Sequence, residues 1–155
     1  MEALLINLEC NGWLVVHMDK RTVDFLKNDI MESNMVGWFE ISTTDIKRAK
    51  TFYDAVFNID IMLQDFGGVQ MGWFPFAEGK TGVSGSLIEN EAYQPSATDG
   101  VLIYFASEEL SIELSRVEAA GGKVVQDKIQ ISPDVGFMGI FIDSEGNRIA
   151  LHSRA

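Results

Sequence analysis

The sequence predicts an α+β chain in which two βαβββ modules form a curved mixed sheet around a cavity, behind an N-terminal extension. Two observations predict this. The order of hydrophobic patterns over residues 36–90 recurs over residues 99–153. Each of these stretches holds a single amphipathic helical pattern, enough to cover one sheet face and leave the other open. The expected domains are therefore an extension at 1–34 and a folded domain at 35–155.

In the extension, "LINLECNGWLVVHMD" places two apolar runs around Asn11-Gly12, a hairpin signal. "TVDFLKNDI" has the pattern of a short helix. This segment reads either as an accessory hairpin packed on the domain or as the product of a translation start placed too early, since Met31 and Met35 stand just before the repeat. His17 sits on a Val-rich strand, where a histidine is more often structural than a ligand.

Module 1 opens with "VGWFEIS" (36–42), which alternates as a half-buried strand does. Asp45 offers an N-cap, and Ile46, Ala49, Phe52, Tyr53, Val56 and Phe57 follow at helical spacing, predicting a helix over 45–57. "IDIMLQDF", the Gly67-Gly68 turn and "VQMGWFPF" predict a hairpin, and "GVSGSLIE" (82–89) a fourth strand. "NEAYQPSATD" reads as a linker. Module 2 repeats the order. "GVLIYFA" (100–106) is a strand, and Leu110, Leu114 and Val117 mark a helix that stops at Gly121-Gly122. "KVVQDKIQI" is a strand, and "GFMGIFIDS" with "NRIALHS" makes a hairpin around Glu145-Gly146. Gly37-Trp38 corresponds to Gly100-Val101 and Ser86-Leu87 to Ala150-Leu151, with one inserted residue between.

Composition narrows the function classes. The formal charge is −11, with 23 acids against 12 bases. Such a field repels phosphate backbones and anionic lipid, and no basic stripe counters it, so neither nucleic acid nor membrane is an expected partner. The longest apolar run is far shorter than the ~18 residues of a span. The acidic start lacks the basic region of a signal peptide. The single Cys10 excludes an internal disulfide, and the expected setting is cytoplasmic. No phosphate loop, nucleophile elbow or dinucleotide fingerprint is present, and no cofactor is expected.

"GWFEISTTDIKRAKTFYDAVF" in module 1, with "RVEAAGGKVV" and "DSEGNRIALHS" in module 2, resembles the vicinal oxygen chelate superfamily. That superfamily includes glyoxalase I, the bleomycin-resistance proteins and the extradiol dioxygenases. The resemblance spans residues 36–153. It implies four metal-ligand positions, on the first and fourth strands of each module, normally His, Glu or Gln. Carried onto this chain they fall on Trp38, Ser86, Val101 and Ala150; the Ser86 placement rests on the internal repeat. Val and Ala have no donor atom, Trp offers only an N–H, and one hydroxyl is a poor cation site. The expected metal is none, and with it goes the expectation of the superfamily's usual Lewis-acid chemistry.

Strand alternation gives a lining once Trp38 is set facing inward. Glu40 and Ser42 then face inward too, with Val101, Ile103 and Phe105 on the matching strand. Ser84, Ser86 and Ile88 follow on the fourth strand, and Arg148, Ala150 and His152 on the last. Phe39 and Ile41 pack under the first helix, and Leu102 and Tyr104 under the second. The lining is mostly apolar with a few polar groups, which suits a small molecule. Trp38 either stacks a planar ligand or plugs the vacated cation position. Glu40 and His152 are the candidate acid–base pair; the structural alternative is a Glu40–His152 or Glu40–Arg148 ion pair in the wall.

Three functional readings stay open. The first is a metal-free receptor for an apolar or aromatic small molecule. The second is an enzyme, metal-free through Glu40 and His152 or lyase- or dioxygenase-like with ligands shifted from these positions. The third is an interaction module whose cavity has collapsed around Trp38. A homodimer is compatible with all three.

Overall fold

The computed structural model describes residues 35–155 in full and, of the preceding residues, the backbone of two strands. These are β1 (Glu2–Leu8) and β2 (Gly12–Met18), paired antiparallel from Glu2↔Met18 to Leu8↔Gly12. The hairpin is as expected, but Gly12 opens β2 instead of sitting in the turn. The short helix expected at "TVDFLKNDI" lies outside the described residues. The chain divides into two compact units, Met1–Val36 and Gly37–Ala155.

The second unit holds both modules. Module 1 comprises β3 (Phe39–Thr43), α1 (Ile46–Phe57), β4 (Met62–Phe66), β5 (Val69–Trp73) and β6 (Gly85–Glu89). Module 2 comprises β7 (Ile103–Ala106), α2 (Leu110–Val117), β8 (Lys123–Ser132), β9 (Gly136–Ile142) and β10 (Arg148–Ser153). The strand orders are the same, β3-β6-β5-β4 and β7-β10-β9-β8. In each module the first strand runs parallel to the last and the other pairs are antiparallel. The modules keep separate four-stranded sheets.

Local chemistry sets the helix ends. Asp45 caps α1, its Oδ1 accepting from the Lys47 and Arg48 amides, each at 3.0 Å. Asn58 closes α1 in the left-handed region at φ 54°. Helix α2 ends at Val117, whose carbonyl accepts from the Gly122 amide at 2.9 Å. At Gly85 a side chain would press into Phe39, so β3 and β6 come together only over a glycine.

One core joins the modules. Ile46, Ala49, Phe52, Tyr53 and Val56 of α1 pack with Leu110, Leu114 and Val117 of α2, over Ile41 and Leu87 of one sheet and Phe141, Ile149 and Leu151 of the other. Both sheets thus turn one face to a shared helix layer and leave the opposite face open.

The "DSEGN" turn fastens the modules together. Buried Asp143 accepts from the Tyr53 hydroxyl (2.8 Å), the Glu145 amide (2.9 Å) and the Asn147 amide (2.8 Å). Burial, followed by the adjacent Asp143 carboxylate, drives the Tyr53 hydroxyl well above the usual phenol range, so it stays a donor. The Asn147 side-chain amide donates to the Ser42 carbonyl at 2.9 Å. Glu145 reaches the start of α1, taking the Thr44 amide and hydroxyl (both 2.9 Å), the Asp45 amide (3.1 Å) and Arg48 Nε (2.7 Å).

Candidate binding site

Ser86 and its cross-strand neighbours define the open face of the β3-β6-β5-β4 sheet of module 1, sheet 1. It lies opposite Glu40 on β3 and opposite Trp73 on β5, and residues opposite one another share a face. Glu40, Ser86 and Trp73 therefore form a row across three strands, about 10 Å from end to end. Trp73 carries an aromatic wall. Trp38 meets it edge-on at 5.9 Å and Phe66 stacks on it at 5.5 Å and 10°. Trp38, Trp73 and Phe66 are 44%, 41% and 50% exposed, so much of this wall faces solvent.

The other end of the row opens into a cleft of about 210 Å³ at the seam between the modules. Glu40 and Ser42 of β3 form one side, Val101 and Ile103 another, and Asn147 and Arg148 a third. Gln94, Ser96 and Asp99, read in the sequence only as linker, close it. Asn147 pins that linker, its side-chain oxygen accepting from the Ser96 amide at 3.2 Å while the Arg148 amide donates to the Ser96 carbonyl at 3.3 Å. The cleft is more polar than the expected apolar lining, because the linker folds over the seam and brings its own side chains.

The expected site residues separate into groups. Glu40, Val101, Ile103 and Arg148 line the cleft. Ser86 and Ala150 are fully buried on their strands, and Ser84 donates its hydroxyl to the Phe74 carbonyl at 3.1 Å. Phe105 stands elsewhere than expected. It packs in the core against Phe57 (4.8 Å), Phe74 (5.4 Å) and Phe39 (5.7 Å), while Tyr104 is 48% exposed. Strand β7 is apolar at both phases, so alternation alone does not select the inward one; the aromatic side chains under α1 do. Ile103 touches both the core and the cleft.

The structure does not bring Glu40 and His152 together. His152 lies on β10 opposite Met138, and its Nε2 is 2.8 Å from the Val135 carbonyl, which makes that nitrogen the protonated one. Glu40 forms no ion pair with His152 or Arg148.

The four positions carried over from the resemblance do not fit a divalent cation. They present one indole, two aliphatic side chains and the Ser86 hydroxyl, which is buried with no hydrogen-bond partner among the described residues. Among the described residues no three His, Cys, Asp or Glu side chains cluster as a ligand set. No helix among them is long and apolar enough to cross a membrane.

The model of the Glyoxalase/Bleomycin resistance protein/Dioxygenase superfamily matches residues 35–151. The chain belongs to this superfamily. Its relatives include a glyoxylase-like domain-containing protein of Didymella fabae, 27% identical over 124 residues that make up 77% of this chain and 93% of the relative. Superfamily folds of known structure superpose on it. A glyoxalase I mutant of Zea mays gives a TM-score of 0.61 at 14% identity, over 76% of this chain and 46% of the maize chain. The chain thus spans less than half the length of that protein. TnmS3, an antibiotic binding protein from Streptomyces sp. CB03234, gives 0.56 at 20% identity over 81% of this chain and 99% of its own. At these identities the likeness establishes the superfamily fold.

Proposed function

We propose that residues 35–155 form a metal-independent binding domain that captures a planar aromatic small molecule on the open face of sheet 1, with residues 1–34 as an accessory extension. One observation carries this reading: the half-exposed Trp38–Trp73–Phe66 wall shares its sheet face with Glu40, which also lines the seam cleft. An aromatic wall beside a polar cleft holds a ring by stacking and fixes its orientation by hydrogen bonds. The poor donor set at the four carried-over positions supports capture without a metal. The similarity to an antibiotic binding protein supports binding as a use of this fold. Acid–base catalysis by Glu40 with His152 is left out, since the His152 ring is engaged with a backbone carbonyl. The setting proposed is cytoplasmic, and a homodimer is compatible with this site.

The test is a titration of the intact chain with planar aromatic compounds, followed by tryptophan fluorescence and thermal shift. Saturable quenching that weakens about tenfold in Trp73→Ala is expected. A Trp73→Ala protein that binds as the parent does would move the site elsewhere. Stoichiometric Ni, Zn, Mn or Fe in the purified protein would overturn metal independence.

A further inference from the structure

Two opposite charges face the seam cleft and do not meet. Glu40 of β3 and Arg148, which opens β10, both line it, yet Arg148 makes no ion pair with Glu40 or any other acid among the described residues. The guanidinium is permanently charged. Of its nitrogens only Nε is sealed from solvent, so the terminal pair is the part a ligand can reach. Asp99, the other acid of the cleft, is engaged by the Ser96 hydroxyl (3.2 Å) and the Thr98 hydroxyl (3.0 Å). The Arg148 amide donates to the Ser96 carbonyl at 3.3 Å, so the strand end that carries the guanidinium is tied to the linker wall.

The third side of the cleft is aliphatic. Val101 is 86% exposed there, and Ile103 stands beside it. The space of about 210 Å³ thus offers an anion on one side, a cation on another and an apolar surface on the third.

We propose that this cleft binds an aliphatic α-amino acid as its zwitterion. The terminal nitrogens of Arg148 take the carboxylate, Glu40 takes the ammonium, and Val101 with Ile103 takes the side chain. The three groups of such a molecule radiate from one carbon, as the three surfaces surround one cleft. Each end then makes a charge-assisted bond. A simple amine leaves Arg148 without an acceptor, and a simple acid leaves Glu40 without a donor. A dicarboxylate meets repulsion from Glu40 and Asp99. The volume is below the range for drug-sized ligands, in keeping with a small metabolite. None of Trp38, Trp73 and Phe66 lines the cleft, so this site is separate from the aromatic wall and does not depend on aromatic capture.

The experiment is calorimetric titration of the intact chain with three probes: L-leucine, 3-methylbutylamine (leucine without its carboxylate) and 4-methylpentanoate (leucine without its ammonium). L-Leucine is expected to bind about tenfold or more tighter than either fragment. Arg148→Gln is expected to erase its advantage over the amine, and Glu40→Gln its advantage over the acid. Leucine that binds the parent no tighter than the better fragment overturns the proposal without any variant. So does an advantage over the amine that survives in Arg148→Gln with its thermal unfolding midpoint intact. Failure of leucine to bind at millimolar concentration also overturns it, while the tryptophan quenching by planar aromatics is read independently.

Discussion

Replacing Glu145 with alanine is expected to destabilise the second unit by about 3 kcal/mol, and the structure says where that loss arises. The Glu145 side chain has no exposed surface and gathers donors from three residues of the other module. Two are backbone amides, Thr44 and Asp45, at the start of α1, where the loss of a capping acceptor costs typically about 1 kcal/mol. The Thr44 hydroxyl adds about another. Arg48 makes the shortest contact, 2.7 Å, but its side chain is 51% exposed, so solvent screening limits that pair to under about 1 kcal/mol. In a unit of about 120 residues, an unfolding entropy near 2.1 cal/mol/K per residue converts 3 kcal/mol into a fall in Tm of about 12 °C. Urea denaturation of the parent, Glu145→Ala, Arg48→Ala and the double variant supplies the assay. The coupling between the two positions should stay below about 1 kcal/mol, with most of the Glu145 loss surviving in the Arg48→Ala background. A single-variant loss under about 1 kcal/mol would refute the role of the amides. A coupling that accounts for the whole loss would reduce the fastening to a surface ion pair.

Three further outcomes follow from the same geometry. Burial favours the protonated form of Glu145, but donors from Arg48, Thr44 and Asp45 outweigh it and hold the carboxyl below its ordinary value. Its contribution is therefore present above the unfolded carboxyl value near 4.3 and lost as pH falls through the lower folded one. Glu109, held down to about 2 chiefly by the Lys128 hydrogen bond, acts in the same direction, so Glu145→Gln should flatten the acid limb of a stability–pH curve in part; an unchanged limb counts against the shift. Ser86→Ala removes an unpartnered hydroxyl from a fully buried site and is expected to leave the ligand-free protein unchanged or up to about 1 kcal/mol more stable by denaturant midpoint; a loss above 1 kcal/mol would show the hydroxyl to be paired. Gly136 and Gly146 both adopt positive φ, at 104° and 96°, but a side chain at 136 would press on the Ser153 carbonyl whereas one at 146 meets open space. Gly146→Ala is expected to cost about 1 kcal/mol and Gly136→Ala at least 2; equal losses in thermal unfolding would argue against that close approach.

The fold was legible in the sequence because its signals are local and occur twice. Asp45 with the Ile46, Ala49, Phe52, Val56 spacing marks α1 by capping and period, and the structure begins the helix at Ile46. Strand phase was legible only where polarity alternates. On β3, Glu40 and Ser42 between Phe39, Ile41 and Thr43 reveal the faces, and the structure buries Ile41 and Thr43. On β7 the run Ile103, Tyr104, Phe105 has no such contrast, and the decision passes to α1, remote in sequence. The cleft was half legible. Glu40 and Arg148 are charged residues at strand positions and draw notice. Gln94, Ser96 and Asp99 carry no periodic signal, and they belong to the cleft only because Asn147 holds Ser96.

Asn147 also links the fold to the proposed function. Its side-chain amide donates to the Ser42 carbonyl and to Asp143, while its side-chain oxygen accepts from Ser96. One residue thus joins the two modules and sets the linker wall of the cleft. The next residue is Arg148, which opens β10 directly after the Asp143–Asn147 backbone bond of 2.9 Å that closes the turn. The "DSEGN" stretch, the most recognisable part of module 2, therefore acts through positioning. It places an arginine and a linker at the seam without lending a side chain of Asp143 or Glu145 to the cleft. A fold that fastens its halves in this way keeps the cleft in shape when the four carried-over positions hold Trp38, Ser86, Val101 and Ala150, because the fastening depends on none of them.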